Sequence, residues 1–413
     1  MRNINMKVTV TVASALLGAA VLMTGNLALA AAGKNTNSEK VAKLLQPAQE
    51  ALKNKQYPAA LAKIHEAAAL PDKTPFDQYT IAEFGCNANI GAGNYADAAK
   101  DCEARLDSSF MPPADVPQLT RALLALNFQV KNYDKAIEFG QRAIKGGFAT
   151  DDNKNLVAQA YYLKANYKDA LKTESALVDA QIHAGQQPKE DALKLVLSSC
   201  VKIEDTACQE HTMERLVAYY PKPDYWKQLL FSIRRQTSTN DTNTLQTYRL
   251  MNDVDVLSEA GDYNEMAQLA LEAGSPGEAQ KVLEKGFDKG AFTDQRVKDR
   301  NTRLLETVKK AAATDQASLP KLEKDAEAAS TGVKSAAAGF AYYGYGQYDK
   351  SADLLAKGVT KGGLSNEANT RLLLGIAQLK AGRKDEAVKT FKSVKGDAPL
   401  EQLASLWLVH ARG

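Results

Sequence analysis

The chain has 413 residues with 52 basic and 49 acidic side chains, a formal charge of +3, so it is long enough for a large buried core and by length alone would form two or three domains. Discounting Arg2 and Lys7, which fall in the leader described next, leaves 50 cations against 49 anions. That balance gives no electrostatic case for nucleic acid or an anionic membrane as partner. Lysines and acids alternate throughout, as in KDALKTE and EAQKVLEKGFDK, the pattern of solvated helix faces.

Residues 1–30 read as a cleaved secretory signal. Arg2 and Lys7 give a basic start, the run from Val8 to Met23 is apolar, and Ala28-Leu29-Ala30 has the small-x-small form a signal peptidase accepts. No cysteine follows, which argues against a lipid anchor, and no later segment has the roughly 18–20 continuous apolar residues of a membrane span. The expectation is a periplasmic or secreted bacterial protein with a flexible segment over 31–40.

From there the chain repeats. KQYPAALAKIHEAA, GNYADAAKDCEARL, KNYDKAIEFGQRAI, ANYKDALKTESALV and GQYDKSADLLAKGV each place a tyrosine three residues before a small residue, then helical apolar spacing. The small residues are Ala60, Ala98, Ala136 and Ala170, followed in a looser alignment by Cys208, Ala279, Ser351 and Ala387. They are 38, 38, 34, 38, 71, 72 and 36 residues apart. The two double-length gaps predict degenerate repeats near Thr244 and near Ala317, about ten units in all. A period of this size marks a helical solenoid, in which no unit buries its apolar face alone and the stack forms one core. Within a unit the punctuation is helix, turn, helix: GVKSAAAGFAYYG, then Tyr345-Gly346-Gln347, then Tyr348 to Gly358. Strand-like alternation is missing. Polar QTSTNDTN at Gln236 to Asn243 is rich in turn formers and divides the repeats into two sets, 41–235 and 236–399, as a long loop or a divergent joint. A last helix, 400–413 with Trp407, caps the open end.

KGGFAT at Lys145 recurs as KGAFTD at Lys289 and KGGLSN at Lys361. Each falls nine or ten residues after a small-residue anchor, where the second helix of a unit should stop. Lysine suits a helix C-terminus, glycine the left-handed cap, Phe148, Phe292 and Leu364 can fold back, and Thr150, Thr293 and Ser365 are candidate N-caps for the next helix. A phosphate cradle would need a preceding strand, which these stretches lack.

Several residues fit a known pattern. Leu374-Gly375, Ala387, Phe391 and Pro399 stand at one spacing in the last unit, with Gln378 at a tyrosine place. Gly339, Tyr342, Tyr348 and Gly358 stand likewise in the unit before, with Ser351 for alanine. Val157-Ala158, Tyr161, Tyr167 and Ala170 do so in the fourth, and Trp226 with Leu229 follows Pro221. The chain thus resembles the tetratricopeptide repeats over most of its length, which implies an all-α, right-handed solenoid of helix-turn-helix units. Such motifs specify packing and no chemistry.

The resemblance implies that the first helices of successive repeats line a concave groove for a peptide or a partner's helix. Carried over by register, that face comprises Asn87, Phe128, Gln159, Tyr162, Phe340, Tyr343 and Lys380, apolar, aromatic and amide groups suited to amphipathic or extended segments. The lysine-and-asparagine clamp by which relatives hold a terminal carboxylate is not expected, since Glu83 stands where a lysine is wanted.

Cys86 and Cys102 fall on the two helices of one unit and Cys200 and Cys208 on those of another, giving the hypothesis of two hairpin disulfides out of three possible connectivities. Cys208 serving simply as a small apolar residue is the competing reading. His65, His183, His211 and His410 show no metal-ligand spacing, although His211 near Cys200 and Cys208 admits a zinc or redox reading. No Gly-x-Ser-x-Gly, Walker-type or His-Glu-x-x-His motif occurs. No catalytic residue, metal or cofactor is therefore expected, and the function read from the sequence is a protein-interaction scaffold of the cell envelope. The alternative is a glycan-binding or accessory subunit of an envelope polysaccharide or peptidoglycan enzyme.

Overall fold

The small residues found at the repeat period are the points where two helices touch. Ala60, Ala98, Ala136, Ala170, Ala279, Ser351 and Ala387 are all fully buried, because only a short side chain lets the helix axes of a hairpin approach this closely. The computed structural model of the protein describes residues 35–412, so the signal-peptide reading of 1–30 lies outside the described residues. Ser38 donates its amide to Asp77 Oδ1 at 2.8 Å, which fixes the residue before the first helix.

Among the described residues there are helices and no strands. The first unit holds α1 (Glu39–Lys53) and α2 (Tyr57–Ala68), α3 (Pro75–Ala92) and α4 (Tyr95–Leu106), α5 (Val116–Gln129) and α6 (Tyr133–Lys145), α7 (Asp151–Leu163) and α8 (Tyr167–His183), and α9 (Glu190–Lys202). Helix α10 (Thr206–Tyr219) runs across the division between the compact units, which falls at Gln209/Glu210. The second unit continues with α11 (Pro223–Thr237) and α12 (Asp241–Asp253), α13 (Ala260–Glu272) and α14 (Pro276–Asp288), the long α15 (Gln295–Ala328), α16 (Val333–Gly344) and α17 (Tyr348–Lys361), α18 (Glu367–Lys380) and α19 (Lys384–Lys392), and α20 (Ala398–His410). This is an all-α helical-repeat solenoid, as the tetratricopeptide resemblance implies.

The hairpin turn is as regular as the anchor. Lys55, Gly93, Lys131, Ala165, Gly274, Gly346 and Gly382 all have positive φ, each five residues before its anchor. That one left-handed residue reverses the chain after the first helix, and its amide region closes back on the helix carbonyls. In the fifth unit the left-handed residue is Glu204, so the register there runs one residue later than the alignment on Cys208 implied, and Cys208 is half-exposed.

Three further expectations change. QTSTNDTN is no long loop: α11 runs to Thr237 and α12 starts at Asp241, with Thr244 Oγ1 donating to Thr237 O at 2.7 Å to hold a tight hairpin. The second double-length gap does not hold a hairpin. Residues 295–328 form one helix of 34 residues, because the stretch contains no glycine to end it and Pro320 alone, which removes one backbone donor, does not stop it. Nine hairpins plus α15 and α20 therefore replace ten equal units. The KGG joints end second helices as read, with Gly147, Gly290 and Gly363 left-handed and Phe292 buried against Phe287 and Tyr263. Thr150 caps α7 in a capping box with Asn153, but Asp294 and Asn366, not Thr293 and Ser365, cap α15 and α18. In both cases the carboxylate or amide one residue on reaches the N3 amide.

Both disulfides are present: Cys86 is bonded to Cys102, with Cα atoms 4.8 Å apart, and Cys200 to Cys208, 5.7 Å apart. The first ties α3 to α4 and the second α9 to α10. They leave no free thiol among the described residues.

Candidate binding face

The residues carried over to the groove occupy three register positions on first helices, and their fates differ by unit. In the first unit Phe128 is only 4% exposed. Its ring meets Tyr133 edge-on at 5.6 Å. Tyr162 meets Tyr167 in the same way at 5.2 Å and Tyr343 meets Tyr348 at 5.6 Å. The recurring aromatic thus packs across the hairpin turn onto the repeat's own tyrosine, a role that explains its recurrence without a ligand. Phe128 is consumed by it. Tyr162 remains half-buried, and its hydroxyl lies 2.6 Å from Ser198 Oγ on α9, linking neighbouring repeats.

Asn87 and Gln159, one turn earlier in the register, are also half-buried. Gln159 donates to Asn155, and Asn155 Nδ2 donates to Glu174 Oε1 at 2.7 Å. Glu174 on α8 has no exposed surface, and its burial pushes the carboxyl up to about 7, the Asn155 hydrogen bond offsetting only part of that cost. An amide chain on α7 therefore runs from a buried carboxyl to the surface of the first unit. Glu83, at the position where a clamp lysine would stand, binds Arg105 at 2.9 Å, and Arg105 is 3% exposed. This pair is structural, and it occupies Glu83 within its own hairpin.

In the second unit the corresponding face is already covered, by the chain itself. Nine consecutive residues of α12, Asn243 to Met251, are buried, although their sequence NTLQTYRLM is polar around most of the helix. Such a helix is buried only if every side of it finds partners. Arg249 donates to Glu278 at 2.8 and 2.6 Å and its guanidinium lies 5.3 Å from the centre of the Tyr343 ring. Gln246 donates to Asn369 on α18 at 2.6 Å, Asn243 to Asp397 at the head of α20 at 3.4 Å, and Tyr248 to Glu265 on α13 at 2.7 Å. At the other end Asp253 takes Lys380 of α18 and His410 of α20, the latter at 2.8 Å. The early residues of α12 meet the starts of α18 and α20 and its last residue meets their ends, so the three helices run parallel.

The last helix does more than cover an end. Trp407 is fully buried and stacks on Phe391, as a cap requires, while His410 sits between Trp226 and Trp407. Gln402 donates to Glu214 at 2.8 Å. Helix α20 thereby closes the second unit onto α11 and α12. Tyr343 and Lys380, read as ligand contacts, are contacts to α12, and burial drives the Tyr343 phenol up and the Lys380 ammonium down from their ordinary values. Phe340 on α16 is half-buried. The degenerate repeat expected near Thr244 supplies this helix, but its burial on every side was not legible, because polar composition points away from a core helix. The only available signal was that QTYR carries groups able to bond sideways.

Among the described residues no group of three or more His, Cys, Asp and Glu side chains is placed to hold a metal ion. Nor is any helix long and apolar enough to cross a membrane.

No family model matches the chain, and no curated protein matches it. Among solved structures, it is similar to a tetratricopeptide repeat protein from Parabacteroides merdae, at 12% identity over 80% of this chain and 98% of that one, with a TM-score of 0.30. It is also similar to Naa15/Naa10 bound to HypK-THB, at 13% identity over 88% of this chain and 70% of that one, with a TM-score of 0.27.

Proposed function

We propose that the protein is an exported, non-enzymatic scaffold of the bacterial cell envelope that holds a peptide or helical segment of a protein partner on the first-helix face of its first unit, around Asn87, Gln159 and Tyr162. The observation that carries this reading is the seat of α12. In the second unit a helix lies against Tyr343, which has the same register as Tyr162, and it is held by side-chain bonds from α13, α14, α18 and α20. A face of this construction accepts a helix, and in the first unit Tyr162 is half-buried with no such helix over it among the described residues. The leader and two disulfides support export, since disulfides persist in oxidising compartments.

A photo-crosslinking residue at Gln159 in the native host identifies the partner, and binding of its crosslinked segment to the purified protein then measures the face. Tyr162→Ala should weaken that binding by about tenfold or more, as loss of an aromatic anchor does, with unchanged circular dichroism. Undiminished binding, or crosslinks to the second unit's inner face instead, would refute the assignment.

A further inference from the structure

We propose that α15 carries a second binding surface, for a linear acidic polysaccharide, formed by a row of unpaired cations on its solvent side. The near-neutral charge of the whole chain conceals a local excess. Residues 295–310 hold Arg296, Lys298, Arg300, Arg303, Lys309 and Lys310 against Asp299 and Glu306. Arg296, Arg300, Arg303 and Lys310 recur at steps of four, three and seven, which puts them on one face of the helix, away from the buried Asn301, Val308 and Ala312. All four are exposed.

Lys309, off the row, pairs with Glu284 at 3.2 Å, whereas none of the four row cations enters an ion pair among the described residues. Of the nearby acids, Asp294 caps the Val297 amide and Asp299 accepts from Gln295 at 2.7 Å, while Glu306 is exposed within a turn of Arg303 and Lys310 and pairs with neither.

The row is straight and about 21 Å long at 1.5 Å per residue. Its guanidinium groups are spaced about 6 and 4.5 Å along the axis, close to the rise of one sugar in an extended polymer with a carboxylate on each unit. Arginine, three of the four, pairs bidentately with carboxylates. A membrane surface fits less well, because the other positions on this face, Thr307 within the row and Ala311 and Thr314 just past it, offer nothing to insert. Single-stranded nucleic acid would want aromatic platforms, which the row lacks. The proposal rests on the exported location proposed above and is independent of the first unit's face.

The test is binding of the purified mature chain to polygalacturonate oligomers across a salt series, with neutral dextran, phosphatidylglycerol vesicles and duplex DNA as competitors. Binding to polygalacturonate and not to dextran is expected. The triple variant Arg296→Gln, Arg300→Gln, Arg303→Gln should weaken it by about tenfold or more and flatten the salt dependence by about two charges, with the fold intact because all three side chains are exposed. Lys309→Gln and Tyr162→Ala should leave binding within about twofold; loss through Tyr162→Ala but not the triple would overturn the site. So would absence of binding at low salt, a triple variant equal to wild type, or tighter binding to the vesicles or to DNA.

Discussion

The buried Arg249–Glu278 pair offers the sharpest test of how the second unit is held. Arg249 is 3% exposed and Glu278 6%, with two hydrogen bonds of 2.8 and 2.6 Å between them. Replacing Glu278 by alanine leaves a guanidinium that cannot deprotonate facing only the Tyr343 ring, and breaking one half of a buried pair costs about 3–5 kcal/mol. Replacing both residues, Arg249→Met with Glu278→Leu, removes the charge along with its partner and should recover most of that loss, since an apolar pair of similar volume is often neutral or better. The chain has two tryptophans, Trp226 and Trp407, both buried and both in the second unit. Urea unfolding followed by tryptophan fluorescence therefore reports this unit directly. A loss below about 1 kcal/mol in Glu278→Ala, or a double variant no more stable than the single, would show that α12 is not held by this pair and that its polar contacts are incidental.

Three other outcomes are expected. Glu174 binds its proton more tightly folded than unfolded, so its contribution to the first unit is full below about pH 4.5 and is lost as pH rises through about 7; the loss is about 3 kcal/mol, and Glu174→Gln should flatten the stability–pH curve measured by circular dichroism. Replacing Cys86 and Cys102 together by alanine opens a closure 16 residues apart in sequence and should cost about 3 kcal/mol, while thiol titration of the unfolded, unreduced protein should find no reactive cysteine. Asp253→Ala should raise amide hydrogen exchange in α20 and at the end of α18 but not in α3–α8, because Asp253 receives both Lys380 and His410; equal exchange throughout would mean that α20 is held by its apolar contacts alone.

Much of the architecture is local and therefore legible. The tyrosine-to-alanine phrases encode a helix, a one-residue left-handed turn and a close helix crossing, all decided within about fifteen residues, so the anchors at Ala60, Ala98, Ala136 and Ala170 could be read directly. The cysteine pairs were legible for the same reason, each lying within one hairpin. Where the register carried no small-residue signal the reading drifted, by one residue at Cys208 and by a whole hairpin in α15, whose single helix follows from an absence of turn formers that periodicity does not register.

The candidate face was legible only as a set of positions. Register alone puts Phe128, Tyr162 and Tyr343 in one class, yet the first is buried against Tyr133, the second is half-open and the third lies under Arg249. Repeat sequence determined the helices, the turns and which side of each first helix faces inward, because those depend on neighbours in the chain. Tertiary structure alone decided that α12 fills the second unit and that α20 closes over it. The contacts responsible join residues more than 120 positions apart, as Gln246 to Asn369 and Asp253 to His410, and a polar side chain gives no sign in sequence of whether its partner is water or another helix.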